Sequence, residues 1–205
     1  MLSGFRMRKK CESSLYYQQD LIKMAIAEKH KYTYQDYLNT PDDTRYELIE
    51  GKLIMMTPAP TTQHQRISRK IEFILDKYIT ENELGEIFDA PYDVVLDNEN
   101  VLQPDLLFIS KDKMHIIEKK NIKGAPELVI EIISESTAYH DMIKKKQLYA
   151  RFGIKEYWIV IPEESAIELY YLKDSSYQLH KKFLLPDIFE SPLFPSLQFS
   201  LTQIF

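Results

Sequence analysis

Two acidic residues in the middle of this chain stand beside or inside strongly apolar segments. Asp105 follows Pro104 and opens an apolar run that predicts a β-strand. Glu131 is the only charged residue in the run 128–133, which predicts a second, buried strand. Burying an ionised carboxylate is costly unless a cation lies beside it, and no basic residue is close in sequence. The pair therefore indicates a divalent-cation site and a metal-dependent hydrolase.

Carboxylate oxygens of this kind suit Mg²⁺, with Mn²⁺ as a substitute. Mg²⁺ takes one or two protein carboxylates and completes an octahedron with waters and substrate phosphate. Adjacent strands would bring Asp105 and Glu131 side by side, and the main-chain carbonyl of Ile132 could add a third ligand. A bound ion would lower the pKa of a water and stabilise charge on a phosphodiester. The alternative is structural: Asp105 caps the strand entry, and Glu131 pairs with a buried Lys or Arg.

Lys145 is the candidate cation for this pair. It is the central residue of the lysine triplet 144–146 on a predicted helix, and it alone has apolar residues at i−3, i+3, i+4 and i+7. Asp141 lies at i−4 on the same stripe and is a candidate substrate contact. A lysine on the face that packs against the sheet can satisfy Glu131, position a nucleophilic water or offset phosphate charge. The alternative is a solvated charge run, which describes its two lysine neighbours.

Two further polar residues are candidates for the same site. Glu47 lies in a predicted strand with Leu48 and Ile49 and is a candidate metal ligand, direct or through water; alternatively, it is an exposed hairpin residue. His64 falls one turn before Ile67 on the apolar stripe of a long predicted helix. It is therefore a candidate phosphate contact or proton carrier. The alternative for His64 is a packed, hydrogen-bonded residue at a helix start.

The bulk composition excludes several other classes of protein. The 205 residues are 44% hydrophobic and 28% charged, which is typical of one soluble globular domain. The single cysteine, Cys11, excludes an internal disulfide framework and fits a reducing cytoplasm. No apolar run is long enough to cross a bilayer, and the basic N-terminus lacks the apolar segment of a secretory signal. Walker, dinucleotide, HExxH, GxSxG and CxxC patterns are missing. We therefore expect a cytoplasmic protein without a membrane partner.

The charge balance limits how the chain could meet nucleic acid. A net charge of −5 argues against a protein that coats nucleic acid through a general basic surface. It does not exclude a nuclease, because carboxylates that hold metal count against the net charge. Any phosphate-binding surface must then be local, and helped by the metal or by a second subunit.

The patterning divides the chain into an N-terminal extension, residues 1–30, and one domain, residues 31–205. The element order predicts an α/β (α+β) fold in which a central mixed sheet is flanked by helices, with antiparallel hairpin additions. The aromatic-rich segment 183–205 is a candidate packing or dimer surface. The predicted elements are a capped helix at 33–38, a hairpin of 46–49 and 52–56, a helix over 61–80, and strands over 87–96, 102–109 and 128–133, with a loop that contains one short helix over 110–124. They continue with a helix over 137–152, a strand over 156–161 and a terminal pair of 167–172 and 177–183.

Several of these segments, in this order, resemble the Uma-two family of restriction endonucleases, which belongs to the PD-(D/E)xK nuclease superfamily. The likeness runs from about residue 32 to residue 205, nearly the whole chain beyond the extension. It is carried by residues 46–53, His64, the Gln-Pro-Asp-Leu segment 103–106, the segment 124–134, Asp141, Lys145, residues 149–150 and residues 153–158.

The resemblance implies a restriction-endonuclease-like core and Mg²⁺-dependent cleavage of phosphodiester bonds, often by a homodimer. Asp105 would be the Asp of the PD pair and Glu131 the acidic residue of (D/E)xK, both of them catalytic and metal-binding, with Glu47 tuning the site. The chain departs from the superfamily pattern at Ile133, where a lysine is expected. The family places that lysine on the following helix, where Lys145 stands.

Two rival functions remain open at this point. A catalytically inactive nucleic-acid-binding or assembly protein could retain the nuclease fold, and the missing lysine at Ile133 and the acidic charge favour it. A hydrolase of another phosphoester is the third possibility. The joint presence of Asp105, Glu131 and Lys145 favours the enzyme, so we expect a metal-dependent endonuclease that acts on nucleic acid, with DNA as the substrate.

Overall fold

Two large β-sheets, a separate pair of short strands and the helices that pack against them form the described part of the chain. The computed structural model describes residues 31–41, 43–56, 60–133 and 138–205, with the side chains of 138–141 left aside. The predicted extension, residues 1–30, lies outside the described residues. Among the described helices, none combines the length and apolar character needed to cross a membrane.

The element bounds follow the predicted order, with additional strands. The α-helices are α1 (Tyr34–Tyr37), α2 (Thr62–Glu81) and α3 (Ala138–Arg151). The strands are β1 (Tyr46–Ile49), β2 (Lys52–Met55), β3 (Gly85–Asp89), β4 (Asp93–Asp97), β5 (Asn100–Leu102), β6 (Leu106–Ser110), β7 (Asn121–Lys123), β8 (Leu128–Ile132), β9 (Glu156–Ile161), β10 (Ala166–Lys173), β11 (Ser176–Leu184), β12 (Ile188–Glu190) and β13 (Gln198–Ser200).

The strands form mixed sheets of five and six strands, with β12 and β13 as a separate pair. The order in the five-stranded sheet is β2-β1-β5-β4-β7, and only β4 and β7 are parallel. The order in the six-stranded sheet is β11-β10-β9-β8-β6-β3, and only β8 and β9 are parallel. The expected mixed α/β fold is therefore confirmed, but its strands are divided between sheets rather than gathered in one central sheet.

Local sequence signals explain the first helix and the first hairpin. Thr33 caps α1, and the side chain of Asp36 accepts a hydrogen bond from the Thr33 N–H, which completes a capping box. Glu50 and Gly51 both have positive φ, 52° and 75°, as the two-residue turn between β1 and β2 requires. Both elements were predicted from the sequence, and both are confirmed.

Three predictions about strands were wrong. The predicted strand 87–96 is divided at a turn that contains cis Pro91, so that β3 joins the six-stranded sheet and β4 the five-stranded sheet. The predicted strand 102–109 is divided in the same way at residues 103–105, because Pro104 has no N–H to donate to a ladder. The predicted loop 110–124 contains, besides a short 3₁₀-helix, the strand β7.

The helices α2 and α3 lie on opposite faces of the six-stranded sheet. Leu128, Ile130 and Ile132 belong to the core cluster that includes α2, whereas Val129 belongs to the cluster that includes α3. Successive side chains of a strand point to opposite faces, so Glu131 faces α3. The second cluster also contains residues of β1 and β5, so α3 packs where the two sheets meet.

The aromatic C-terminal segment is part of the domain core. Phe189, Phe194 and Phe199 are 5% exposed or less, and Trp158 and Phe183 lie beside Phe189 with ring centroids 4.6 and 4.7 Å away. Phe189 lies on β12 and pairs with Phe199 on β13, two strands that the sequence patterns did not reveal. The segment 183–205 was predicted to be either a packing surface or a dimer surface, and the structure shows that it packs within the domain.

Candidate active site

Glu47, Glu131 and Lys145 meet where the two sheets join. The Nζ atom of Lys145 on α3 lies 2.8 Å from Oε1 of Glu47 on β1 and 3.1 Å from Oε1 of Glu131 on β8. One lysine therefore connects a carboxylate of the five-stranded sheet to a carboxylate of the six-stranded sheet. The side chains of Lys145, Glu47 and Glu131 are 12%, 7% and 14% exposed, so neither the solvated-lysine nor the exposed-hairpin alternative holds.

Tyr149 completes this group from the next turn of α3. Its hydroxyl donates a 2.7 Å hydrogen bond to Oε1 of Glu131, the same oxygen that accepts from Lys145. Residues four apart on a helix share a face, so the signal for Tyr149 was its spacing from Lys145. That spacing predicted only an apolar contact of the ring, and the hydrogen bond of its hydroxyl was not predicted.

Asp105 and His64 form the second part of the site. Asp105 precedes β6, which lies antiparallel beside β8 with Leu106 opposite Ile130. Oδ2 of Asp105 accepts a 2.7 Å hydrogen bond from the Ile132 N–H, and Oδ1 lies 3.2 Å from Nε2 of His64. The predicted proximity of Asp105 to the strand of Glu131 is thus observed, and it is the N–H of Ile132 that contacts Asp105.

His64 comes from the first turn of α2, whose start is capped by the side chain of Thr61. The imidazole is largely buried, with 14% of the side chain exposed. Its Nδ1 atom is buried and has no hydrogen-bond partner in the described part of the chain. The hydrogen bond to Asp105 raises the pKa of His64, while burial acts in the opposite direction.

The electrostatics of the site depend on having more carboxylates than cations. The pKa of Glu131 is raised to about 7: burial is the largest cause and nearby Glu47 and Asp105 add to it, whereas Lys145 and the Tyr149 hydroxyl oppose the shift. Burial alone would lower the pKa of Lys145, but Glu131 and Glu47 outweigh it and the net shift is upward. Lys145 is therefore a permanent cation at neutral pH, and its single charge is shared by two carboxylates.

Gln103 links Glu47 to the segment before β6. The Gln103 N–H donates a 3.1 Å hydrogen bond to Oε1 of Glu47. Gln103 was not among the predicted site residues, and its position directly before Pro104 and Asp105 was the available signal. Asp141, the predicted substrate contact, belongs to α3, but its side chain lies outside the described residues.

The carboxylates of the site are of the kind that a hard divalent ion prefers. In the described part of the chain, no group of three or more His, Cys, Asp or Glu side chains could hold a metal ion by itself. Mg²⁺ does not need such a group, because one or two carboxylates suffice when waters and substrate phosphate complete the shell. Asp105 and Glu131, on neighbouring strands in a site with an excess of carboxylates, fit that requirement.

Comparisons with known proteins agree with this fold and order of motifs. A crystal structure of a "putative nuclease belonging to DUF820" from Anabaena variabilis superposes with a TM-score of 0.71 at 21% identity, covering 84% of this chain and 97% of that one. At this identity the likeness shows a shared fold. No curated protein matches the chain. The model of the Uma2 family, described as "Putative restriction endonuclease", matches residues 33–202, and the chain therefore belongs to that family.

Proposed function

We propose that the protein is a Mg²⁺-dependent endonuclease that hydrolyses phosphodiester bonds in DNA. The observation that carries this proposal is the contact of Lys145 with both Glu47 and Glu131, next to the strand that Asp105 opens. The acidic groups can hold a metal ion that activates water, and the lysine can stabilise charge on a phosphate, so together they could carry out phosphodiester hydrolysis. Membership of the Uma2 family supports the same class of reaction.

In this proposal each residue of the site has a distinct role. Asp105 and Glu131 would hold Mg²⁺, which when bound activates water and neutralises charge on the scissile phosphate. Lys145 cannot serve as a general base, because its raised pKa keeps the ammonium protonated. It would instead orient the attacking water or bind the phosphate oxygen on which charge develops. Glu47 would hold Lys145 in position, and His64 would orient Asp105.

A second candidate is a nucleic-acid-binding protein that retains the fold without turnover. It is favoured by the observation that Glu47, Glu131 and Asp105 each already contact donors of the protein itself. Such a protein would bind nucleic acid equally well in Mg²⁺ and in EDTA and would leave it intact. An enzyme would cleave in Mg²⁺ or Mn²⁺ and stop when the metal is removed.

The deciding experiment is cleavage of supercoiled plasmid and of single-stranded DNA in Mg²⁺, Mn²⁺ or EDTA. Wild type is compared with Glu131→Ala and Lys145→Ala, and Lys144→Ala serves as the matched control because that neighbouring lysine is exposed. Metal-dependent nicking that is lost in both site variants and kept in the control supports the enzyme. Binding without cleavage under every condition supports the second candidate and rejects the first.

A homodimer, which the family resemblance implies, is also part of the proposal. Exposed apolar side chains lie on and just beyond the edge strand β11, namely Leu179, Leu184, Leu185 and Ile188, which are 47–52% exposed. Light scattering on wild type and on Leu179→Lys would measure the mass. A monomer in the wild type at micromolar concentration would exclude a stable dimer.

A further inference from the structure

Arg45 is an exposed cation close to the candidate active site that none of the roles above uses. It precedes Glu47 by two residues, and its carbonyl accepts a 2.9 Å hydrogen bond from the Met56 N–H, which extends the hairpin ladder by one pair. Residues two apart in an extended strand lie on the same face. The side chain of Arg45 therefore lies on the face of the hairpin that carries Glu47 toward Lys145.

The guanidinium of Arg45 is held by a neutral group. Its Nε and Nη2 atoms lie 3.0 and 2.5 Å from Oε1 of Gln103. The amide of Gln103 is itself fixed, because its Nε2 atom donates to Oδ1 of Asp93 at 2.7 Å and to the Tyr37 hydroxyl at 3.2 Å. The main-chain N–H of the same Gln103 bonds to Glu47. Arg45 is thus positioned by the residue that also contacts the site.

Within the part of the chain that the structure describes, the charge of Arg45 is not neutralised by a carboxylate. Among the described residues no Asp or Glu lies within ion-pair distance of its guanidinium, whereas Arg151, also exposed, lies 3.1 Å from Oε1 of Glu50. A guanidinium that is oriented by an amide oxygen keeps its full charge and its remaining N–H donors. These are the properties that suit bidentate binding of a phosphate.

We propose that Arg45 binds a backbone phosphate of the nucleic acid, next to the phosphate that is cleaved at Glu47, Glu131 and Lys145. The assignment rests on the proposed function and adds to it a residue that positions the nucleic-acid substrate. In a chain of net charge −5, attraction for a polyanion must come from local cations of this kind. Gln103 is the positioning residue, because it determines where the guanidinium lies relative to Glu47.

The test is the salt dependence of binding, measured in EDTA with a short fluorescent duplex and with a single strand. The proteins are wild type, Arg45→Ala, Arg45→Lys and Gln103→Leu, with Arg151→Ala as the matched control. Loss of one phosphate contact lowers the slope of log affinity against log salt by about one. We expect Arg45→Ala to bind about tenfold more weakly at low salt and to show that smaller slope, while Arg151→Ala behaves as wild type.

The other variants separate charge from geometry. Arg45→Lys and Gln103→Leu keep the positive charge, so each should keep the wild-type salt slope while losing part of the affinity. Equal affinity and equal slope for Arg45→Ala and wild type would overturn the assignment, as would equal losses in Arg45→Ala and Arg151→Ala. Failure of the wild type to bind either nucleic acid, both in EDTA and in Mg²⁺, would instead overturn the proposed function itself, and this assignment with it.

Discussion

The ammonium of Lys145 lies 3.1 Å from Oε1 of Glu131, although the two residues are 14 positions apart in the chain. The position two residues after Glu131, directly beyond the end of β8, is occupied by Ile133 and offers no cation. Here the lysine comes from α3, which packs on the face of the sheet that carries Glu131. The strand that carries Glu131 offers no cation of its own, and the helix α3 supplies one.

Replacement of Lys145 should abolish most of the cleavage. In the proposed mechanism its ammonium stabilises charge that develops on the phosphate, and removal of one such donor slows enzymes by about 100-fold or more. The measurement is the single-turnover rate of plasmid nicking by Lys145→Ala, with urea unfolding to show that the variant is folded. Lys144→Ala should nick at the wild-type rate. A Lys145→Ala protein as fast as wild type would show that the lysine has a structural role alone.

A lysine at position 133 should partly restore the Lys145→Ala variant. Ile133 contributes to the core cluster of α3, and it stands two residues after Glu131, so its side chain lies on the same side of the chain. The double variant Ile133→Lys, Lys145→Ala should therefore nick plasmid faster than Lys145→Ala alone. Ile133→Lys in the wild-type background is the control for packing damage. No gain in a folded double variant would show that only the helix can present the ammonium correctly.

Asp105→Asn should remove metal binding without unfolding the domain. An amide oxygen can still accept the hydrogen bond from the Ile132 N–H, but it lacks the charge that a hard cation requires. Calorimetry with Mn²⁺ should show binding to wild type and none to the variant. Asp89→Asn, which alters an exposed carboxylate on the neighbouring strand β3, should bind as wild type does. Unchanged Mn²⁺ binding in Asp105→Asn would exclude Asp105 as a ligand.

The stability of the metal-free protein should depend on the ionisation of Glu131. Its pKa is raised from 4.5 to about 7 in the folded state, so ionisation costs stability as the pH rises between these values. Glu131→Gln does not titrate. Its free energy of unfolding relative to wild type should therefore improve by ~2 kcal/mol between about pH 5 and about pH 8. Urea unfolding in EDTA measures this difference, and a difference that is constant with pH would contradict the prediction.

His64 should act by orienting Asp105. Its Nε2 atom faces Oδ1 of Asp105 at 3.2 Å, and loss of a group that orients a metal ligand lowers metal affinity by about 10–100-fold. We expect such a loss for His64→Ala in Mn²⁺ calorimetry. His64→Gln can place an amide N–H near the same oxygen and should retain most of the affinity. If both variants bind Mn²⁺ normally but lose one limb of the pH–rate profile, His64 is a proton carrier instead.

The sequence by itself determined those features that depend on local pattern. The apolar stripe of α2 and the turn at Glu50 and Gly51 both follow from spacing and residue type. The same reasoning placed Lys145 on the packed face of its helix, because helical periodicity states which side chains share a face. It also identified Asp105 and Glu131, because acidic residues beside or inside apolar segments are unusual in a sequence.

Only the tertiary structure decided which strands are neighbours and which side chains meet. The divisions between β3 and β4 and between β5 and β6 assign consecutive segments to different sheets, and alternation along a strand says nothing about its partner. The contact between Glu47 and Lys145 spans 98 positions and exists because the five-stranded sheet packs against α3. Long-range packing also places Gln103, Tyr149 and Arg45 in the site or at its rim. The residue types determined what chemistry is available, and long-range packing determined where it is assembled.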